Sequence, residues 1–367
     1  MPRGERGNPR LRLLDRYLGI PVVALGGLLR RPRPVPESPR RIGVLNSTNI
    51  GDTVLLSAVV RDLASAFPEA EVVFFAGPGN APIARLIDCV KVEPIKLTDP
   101  RDAVRAVRAA DLDVVLDFDQ WPRIEAVYCL LSGARFRAGF RSPDQHRHYA
   151  YDASVEHSAE SHELDNYRRL VSLLGVESRS TPSFSPPGRV DPDRLPPDPY
   201  VVFHLWPTGY RSSLKQWPED RWRTLAEELA GRGFRIVLTG SEADRVPTDT
   251  FIGSCGEPGH NLVNAAGAYD LDEVLDLLCG SQCVVSVNTG VMHLAAAGGV
   301  ATVSLNGPTS ERRWGPIGPR VVSVNSEYEG CGFLHFGWEY DGRREDCMQG
   351  ISVERVLGRV LEALERR

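Results

Sequence analysis

Two runs of alternating strand and helix patterns, separated by a proline-dense stretch, limit this chain more than any other feature. Residues 42–46 (IGVLN) read as a short buried strand and 52–67 as an amphipathic helix. Strand patterns follow at 71–75 (EVVFF) and 113–118 (DVVLDF), with helical patterns at 100–110 and 161–174. Strands that alternate with helices make a parallel sheet covered on both faces, because parallel neighbours need a crossover between them. The rhythm stops at residues 182–199, where Pro182, Pro186, Pro187, Pro192, Pro196, Pro197 and Pro199 leave no apolar periodicity. It then restarts, with strands expected at 200–205, 235–239, 283–287 and 302–305. Helices are expected at 219–232, 270–279, 291–297 and, amphipathic and last, 352–366.

The organisation this implies is an N-terminal arm (1–40), an α/β half (41–185), a linker (186–199), a second α/β half (200–350) and a C-terminal helix (351–367). Two such halves put a cleft between them, and in open α/β sheets ligands sit at the carboxyl ends of the strands. Composition narrows the classes further. With 42% hydrophobic and 25% charged residues, the chain is neither disordered nor a repeat scaffold. A net charge of −5 argues against binding nucleic acid through a bulk positive field. Only Lys91, Lys96 and Lys215 are lysine among 43 basic residues, so each is a marked choice.

Seven cysteines, at 89, 129, 255, 279, 283, 331 and 347, form no CxxC pair and read as reduced, buried residues of a cytoplasmic protein. Cys279 and Cys283 have the spacing to share a helix face. Cys331, His335 and Cys347 supply three possible metal ligands in one Gly-rich stretch, one short of a closed site, so no metal is expected. Residues 17–29 (YLGIPVVALGGLL) are too short to span a bilayer, but arginines at 16, 30 and 31 flank them. Two readings stand: a monotopic element lying in the membrane interface, or a helix packed on the protein's own body.

Four segments carry chemistry. After the first strand comes Asn46-Ser-Thr-Asn49-Ile-Gly51-Asp52, a polar loop opening a helix. Asp52 either stabilises that helix start, by about 0.3–1 kcal/mol, or serves as a general base. The second segment runs from His204 to Pro218 and contains Ser212, Ser213 and Lys215, a cation with hydroxyls ahead of a helix, suited to a diphosphate. Trp217-Pro218 reads as packing and helix initiation. The third, Ser286-Val-Asn288-Thr289-Gly290-Val-Met-His293, runs from strand to helix through a glycine, where amides can meet phosphate or sugar hydroxyls. The fourth is Asn306-Gly-Pro-Thr309, followed by Arg312-Arg313-Trp314-Gly-Pro. Arg135, Arg137, Arg141 and Arg147 make either a solvated face or an attractor for an anionic acceptor.

In order and spacing, IGDTVLLSAVVRDLASAFPEAEV, KQWPEDRW, the Asn288–His293 segment and GPTSERRWGP resemble glycosyltransferase family 9, the ADP-heptose:lipopolysaccharide heptosyltransferase group, over residues 41–365. The stretch from Cys331 to Ile351 is similar to that family's cysteine-containing tail, and RYLGIPVVALGGLLRR to a leading helix found in part of it. The resemblance implies a GT-B fold, two Rossmann-like domains facing a cleft, with the C-terminal helix crossing back to the first. It implies metal-independent, inverting transfer from an ADP-sugar, without a cofactor, to a glycolipid, polysaccharide or natural-product hydroxyl. By motif position Asp52 would be the base, with Asp117 or Asp119 as the nearest substitutes. Lys215, Ser212 and Ser213 would hold the diphosphate. Thr289, Gly290, His293 and Thr309 would hold phosphates and sugar, and Glu242 the ribose. Asn49, Gly51, Asp119 and Arg141 would face the acceptor. Where the family has an aspartate before Thr-Gly, this chain has Asn288, which gains a donor and loses a charge. The donor implied is a heptose or a related sugar. A nucleotide-sugar epimerase of the same fold, or a non-catalytic sugar-nucleotide or glycan binder, are the alternatives. The enzyme would be cytoplasmic, with peripheral contact at the inner membrane through residues 17–29.

Overall fold

The computed structural model describes residues 13, 15–28, 32–47, 49–121, 123–197, 199–209, 211–256, 261–335, 339–340 and 342–365. Leu29, Arg30 and Arg31 of the apolar N-terminal segment lie outside the described residues. The chain divides into two compact units between Pro182 and Ser183.

The first unit carries strands β1 (Arg41–Leu45), β2 (Glu71–Ala76), β3 (Lys91–Pro94), β4 (Val114–Asp117), β5 (Phe136–Arg141) and β6 (Ala153–Glu156). Its helices are α1 (Ile20–Leu28), α2 (Ile50–Ala66), α3 (Ala81–Ala84), α4 (Pro100–Ala109), α5 (Arg123–Leu131) and α6 (Glu163–Ser172). The six strands form one parallel sheet in the order β3-β2-β1-β4-β5-β6. Central strands of such a sheet are covered on both faces and therefore read as continuous apolar runs, which is how β1, β2 and β4 announced themselves. The edge strands are half-exposed and polar: β3 is KVEP and β6 is ASVE. Neither was expected from the sequence.

The second unit carries β7 (Tyr200–His204), β8 (Arg235–Leu238), β9 (Leu262–Asn264), β10 (Cys283–Val287), β11 (Thr302–Asn306) and β12 (Val321–Asn325). Its helices are α7 (Glu219–Ala230), α8 (Arg245–Ser254), α9 (Val274–Gly280), α10 (Gly290–Ala297), α11 (Glu311–Trp314) and α12 (Val353–Glu365). The sheet is again parallel, in the order β12-β11-β10-β7-β8-β9, the same winding as the first. Both halves are Rossmann-like, as expected.

Trp217 and Trp222 meet edge to face at 5.0 Å inside the second core, and the Trp217 indole donates to the Ile351 carbonyl at 2.9 Å. Pro218 directly precedes α7, so this pair packs and initiates a helix as its sequence implied. The buried face of α12, Val356, Val360 and Ala363, joins that same core. Phe184, at the start of the proline-dense stretch, is buried in the second unit, its amide bonded to the Ala297 carbonyl at 2.9 Å.

The cysteines require a correction. Cys331 and Cys347 form a disulfide, so neither is reduced and neither offers a thiolate to a metal beside His335. Cys129, Cys255 and Cys283 are free and buried, and burial pushes the Cys283 thiol up to about 12. Cys279 ends α9 while Cys283 opens β10, so the two share no helix face.

Candidate active site

In a doubly wound sheet the connections leave in opposite directions at one point, and the loops on either side open a crevice at the carboxyl edge. In the first unit that point lies between β1 and β4. The loop after β1 leads to Asn49, Gly51 and Asp52; the loop after β4 holds Phe118 and Asp119. The sequence-derived site residues of this half therefore gather at one place. Arg141 ends β5, one strand further along the same edge, largely exposed and 3.6 Å from Glu156.

Asp52 occupies the first turn of α2 and is half-buried. Its two carboxylate oxygens are separately engaged. The Asn49 amide donates to Oδ2 at 2.7 Å, and the Tyr167 hydroxyl donates to Oδ1 at 3.1 Å. Asn49 is the N-cap residue, yet its side chain makes no cap bond and is used to orient Asp52 instead. Tyr167 comes from α6, its ring fixed edge to face on Phe118 at 5.5 Å. It was missed from the sequence, since nothing in HELDNYRRL marks one tyrosine out.

The loop below Asp52 is held by a buried polar network. Asn80 donates to the Asn46 carbonyl at 2.9 Å and to Thr53 Oγ1 at 2.7 Å, while Thr53 Oγ1 donates to the Asn49 carbonyl at 2.9 Å. Gly77 lets β2's end approach: a Cβ there would lie 2.0 Å from the Ser47 carbonyl oxygen. Ser47 donates to buried Glu125. Burial, then the Asp119 and Asp117 carboxylates, push the Glu125 carboxyl well above its usual range.

Asp117 does not qualify as a substitute base. It is fully buried and accepts from Arg147 Nη2 and from the Tyr151 hydroxyl, both at 2.6 Å. Burial raises its pKa, and the Arg147 guanidinium opposes the shift. Asp119 is also buried, its carboxylate accepting from the Trp121 amide at 3.1 Å. The four arginines do not make one basic face. Arg137 and Arg147 are buried beside Asp152 and Asp117, and exposed Arg135 lies 3.4 Å from Asp113.

In the second unit the winding reverses between β10 and β7. The segments singled out in sequence all follow strands along this carboxyl edge: Ser212, Ser213 and Lys215 after β7, Glu242 after β8, Asn288 to Gly290 after β10, Thr309 after β11. A turn with Gly209 at φ 97° and Arg211 at φ 47° delivers the single 3-10 turn Ser212–Lys215. Lys215 is half-buried, with Nζ donating to the Thr208 carbonyl at 3.0 Å. A cavity of about 200 Å³ is lined by Ser213 of this turn and by Trp206, Trp217 and Trp222 among others; Lys215 is not part of its lining.

Thr289 precedes α10 as its N-cap residue in extended conformation, and Gly290 begins the helix, so the amides of this turn face the strand end. His293 is buried one turn on. The Asn288 amide donates to the Trp314 carbonyl at 3.0 Å and to Asn306 Oδ1 at 3.2 Å, tying together the third and fourth sequence segments. Beneath the edge, His204 is buried against Thr239 Oγ1 at 3.0 Å. Burial pushes its pKa down to about 4, only partly opposed by Asp244. Glu242 is exposed, and Thr309 is buried.

Residues 101–332 match the family model described as glycosyltransferase family 9 (heptosyltransferase). The chain belongs to glycosyltransferase family 9. Among relatives of this family, lipopolysaccharide heptosyltransferase 1 of Pseudomonas aeruginosa is 35% identical over 160 residues, 42% of this chain and 41% of that protein. The chain thus spans about two fifths of the length of the first curated relatives it matches. The solved structure of E. coli ADP-heptose lps heptosyltransferase II superposes with a TM-score of 0.72 at 20% identity, covering 89% of this chain and 99% of that one. E. coli heptosyltransferase WaaC with ADP gives 0.70 at 20% identity, covering 88% and 99%. These two likenesses show the fold.

Proposed function

We propose that this protein is an inverting, metal-independent glycosyltransferase that moves a heptose from an ADP-heptose donor to a hydroxyl of a lipopolysaccharide-type glycolipid acceptor. The observation that carries this reading is Asp52: a half-buried carboxylate at the switch point, with each oxygen oriented by a different side chain. Such a group is positioned to take a proton, and a carboxylate that only stabilised a helix start would not need Tyr167 from another helix.

In the proposed step Asp52 accepts the proton of the acceptor hydroxyl. The hydroxyl oxygen bonds to the anomeric carbon on the face opposite the diphosphate. The bond from that carbon to the diphosphate oxygen breaks, and ADP leaves with the electron pair. One displacement inverts the anomeric centre. Lys215, with Ser212 and Ser213, neutralises charge as it builds on the leaving diphosphate. The amides at Thr289 and Gly290 add the positive end of α10. His293 and Thr309 line the sugar and phosphates, Glu242 takes the ribose, and Asn49, Gly51, Asp119 and Arg141 receive the acceptor. Two features support the donor: relatives named lipopolysaccharide heptosyltransferases, and similar structures with ADP and with ADP-2-deoxy-2-fluoro heptose. The enzyme works at the cytoplasmic side of the membrane, touching it through residues 17–29.

Calorimetric titration with ADP, UDP, GDP and ADP-heptose tests the donor. Selective ADP binding that tightens with the heptose is expected. Preference for another nucleotide, or no binding at all, would overturn the reading.

A further inference from the structure

We propose that the outward face of α1, together with Leu131 and Tyr149, forms a docking surface for an anionic phospholipid bilayer. This rests on the reading that residues 17–29 touch membrane, and it enlarges that contact to three elements of the first unit. Among the described residues ten large hydrophobic side chains are exposed. Eight of them, Leu13, Tyr17, Leu18, Val22, Leu25, Leu28, Leu131 and Tyr149, fall on residues 13–28 or on two elements packed against them, α5 and the turn Arg147–Ala150. Monomeric proteins scatter such residues singly, so this clustering marks a contact surface.

The way α1 is fixed to the body makes the exposure a built feature. Its inward face is Val23, fully buried, with Gly26 and Gly27, and Gly19 ends the turn Asp15–Gly19 just before it. A Cβ on Gly26 would sit 2.2 Å from Leu130 Cδ2, one on Gly27 2.6 Å from the Tyr149 carbonyl, and one on Gly19 3.0 Å from Arg123 Cβ. Asp15 anchors the approach, accepting from Arg123 Nη1 at 2.7 Å and from the Arg123 amide at 2.8 Å. Small residues inward thus seat the helix tightly. They leave Val22 and Leu25, with Leu18 just before the helix, on a neighbouring stripe about 100° round from the inward one, with Leu18 and Leu25 each 60% and Leu28 84% exposed. A helix meant to pack on its own domain would turn its leucines inward. At nine residues it lies on a bilayer and does not cross it, and no described helix is long and apolar enough to cross one.

Charge selects the occupant. Between residues 10 and 33 stand Arg10, Arg12, Arg16, Arg30, Arg31 and Arg33, against Asp15 as the only acidic residue, and Asp15 is paired with Arg123. An apolar segment flanked in sequence by arginines matches an acyl boundary beneath anionic headgroups. A second copy of this segment would offer those arginines no acidic partner, since Asp15 is taken by Arg123.

The test uses the full chain, floated with vesicles of phosphatidylglycerol and phosphatidylethanolamine or of phosphatidylcholine alone. Leu18→Glu/Leu25→Glu changes the helix, and Leu131→Glu/Tyr149→Glu changes its neighbours. All four positions are exposed, and thermal melting checks that the fold holds. Binding to the anionic vesicles is expected, falling at least about tenfold in either double variant, weakened by salt, and weaker on the neutral vesicles. Loss in the helix variant alone would overturn the enlarged surface while leaving the contact of residues 17–29 standing. No loss in either variant would overturn both. Equal binding to neutral vesicles would overturn the anionic preference. Self-association without vesicle binding, abolished by the same substitutions, would assign the face to a second copy instead.

Discussion

The side-chain amide of Asn288 donates to the main-chain carbonyl of Trp314 at 3.0 Å, closing the end of β10 against the loop after β11. A carbonyl can only accept, so an aspartate at this position would set a carboxylate against it. Asn306 could turn its own amide to meet such a carboxylate, but Trp314 could not. The departure from the family's aspartate therefore has a structural use here. Asn288→Asp is expected to lower stability by about 1–3 kcal/mol, read by urea denaturation at neutral pH. Equal or greater stability would remove this explanation.

Arg147 and Asp117 are both fully buried and 2.6 Å apart. Burial alone would lower the guanidinium pKa, but Asp117, Tyr151 and Asp119 together outweigh it, so it is raised well above its ordinary value. Arg147→Met leaves a buried carboxylate without its cation, at a cost of about 3–5 kcal/mol. Adding Asp117→Asn should return part of that loss, because a neutral amide needs no counter-charge. Additive losses in the double variant would show that the two residues are not coupled.

His204 gives the fold an acid-sensitive point. Its folded pKa of about 4 lies below the ordinary value of 6.5, so the folded state disfavours the charged ring. Its contribution is full above about pH 6.5 and is lost as pH falls through about 4, a change of about 3 kcal/mol. Stability measured from pH 7 to 4 should fall, and the fall should be shallower in His204→Gln. Parallel pH profiles for the two proteins would contradict the assignment.

Lys215→Ala should weaken ADP binding by about 10- to 150-fold, the size of one charge-assisted hydrogen bond of about 1.5–3 kcal/mol. Lys215→Arg restores charge with different geometry and should recover part of the affinity. Calorimetry on the three proteins decides it, and an unchanged Kd in Lys215→Ala would end the diphosphate role.

The central strands were legible because burial on both faces turns β1, β4, β7 and β10 into apolar runs. The edge strands β3 and β6 and the three-residue β9 carry too little apolar pattern to stand out. Candidate residues after strands could be located because a parallel sheet delivers every strand end to one edge. What lay across the fold could not be located. Tyr167 reaches Asp52 from 115 positions away. The Cys331–Cys347 bridge depends on a 5.7 Å approach of Cα atoms that spacing alone does not reveal. Asp117 looked like a spare base only because Arg147 and Tyr151, 30 and 34 positions later, are invisible beside it in the chain.

The most direct test of the account is heptose transfer by Asp52→Asn, with ADP-heptose binding measured on the same preparation. Asparagine keeps the shape and can still meet Tyr167, but it cannot take a proton. Turnover should fall by about 100- to 10,000-fold with donor affinity unchanged. Undiminished turnover would contradict Asp52 as the base and with it the central claim.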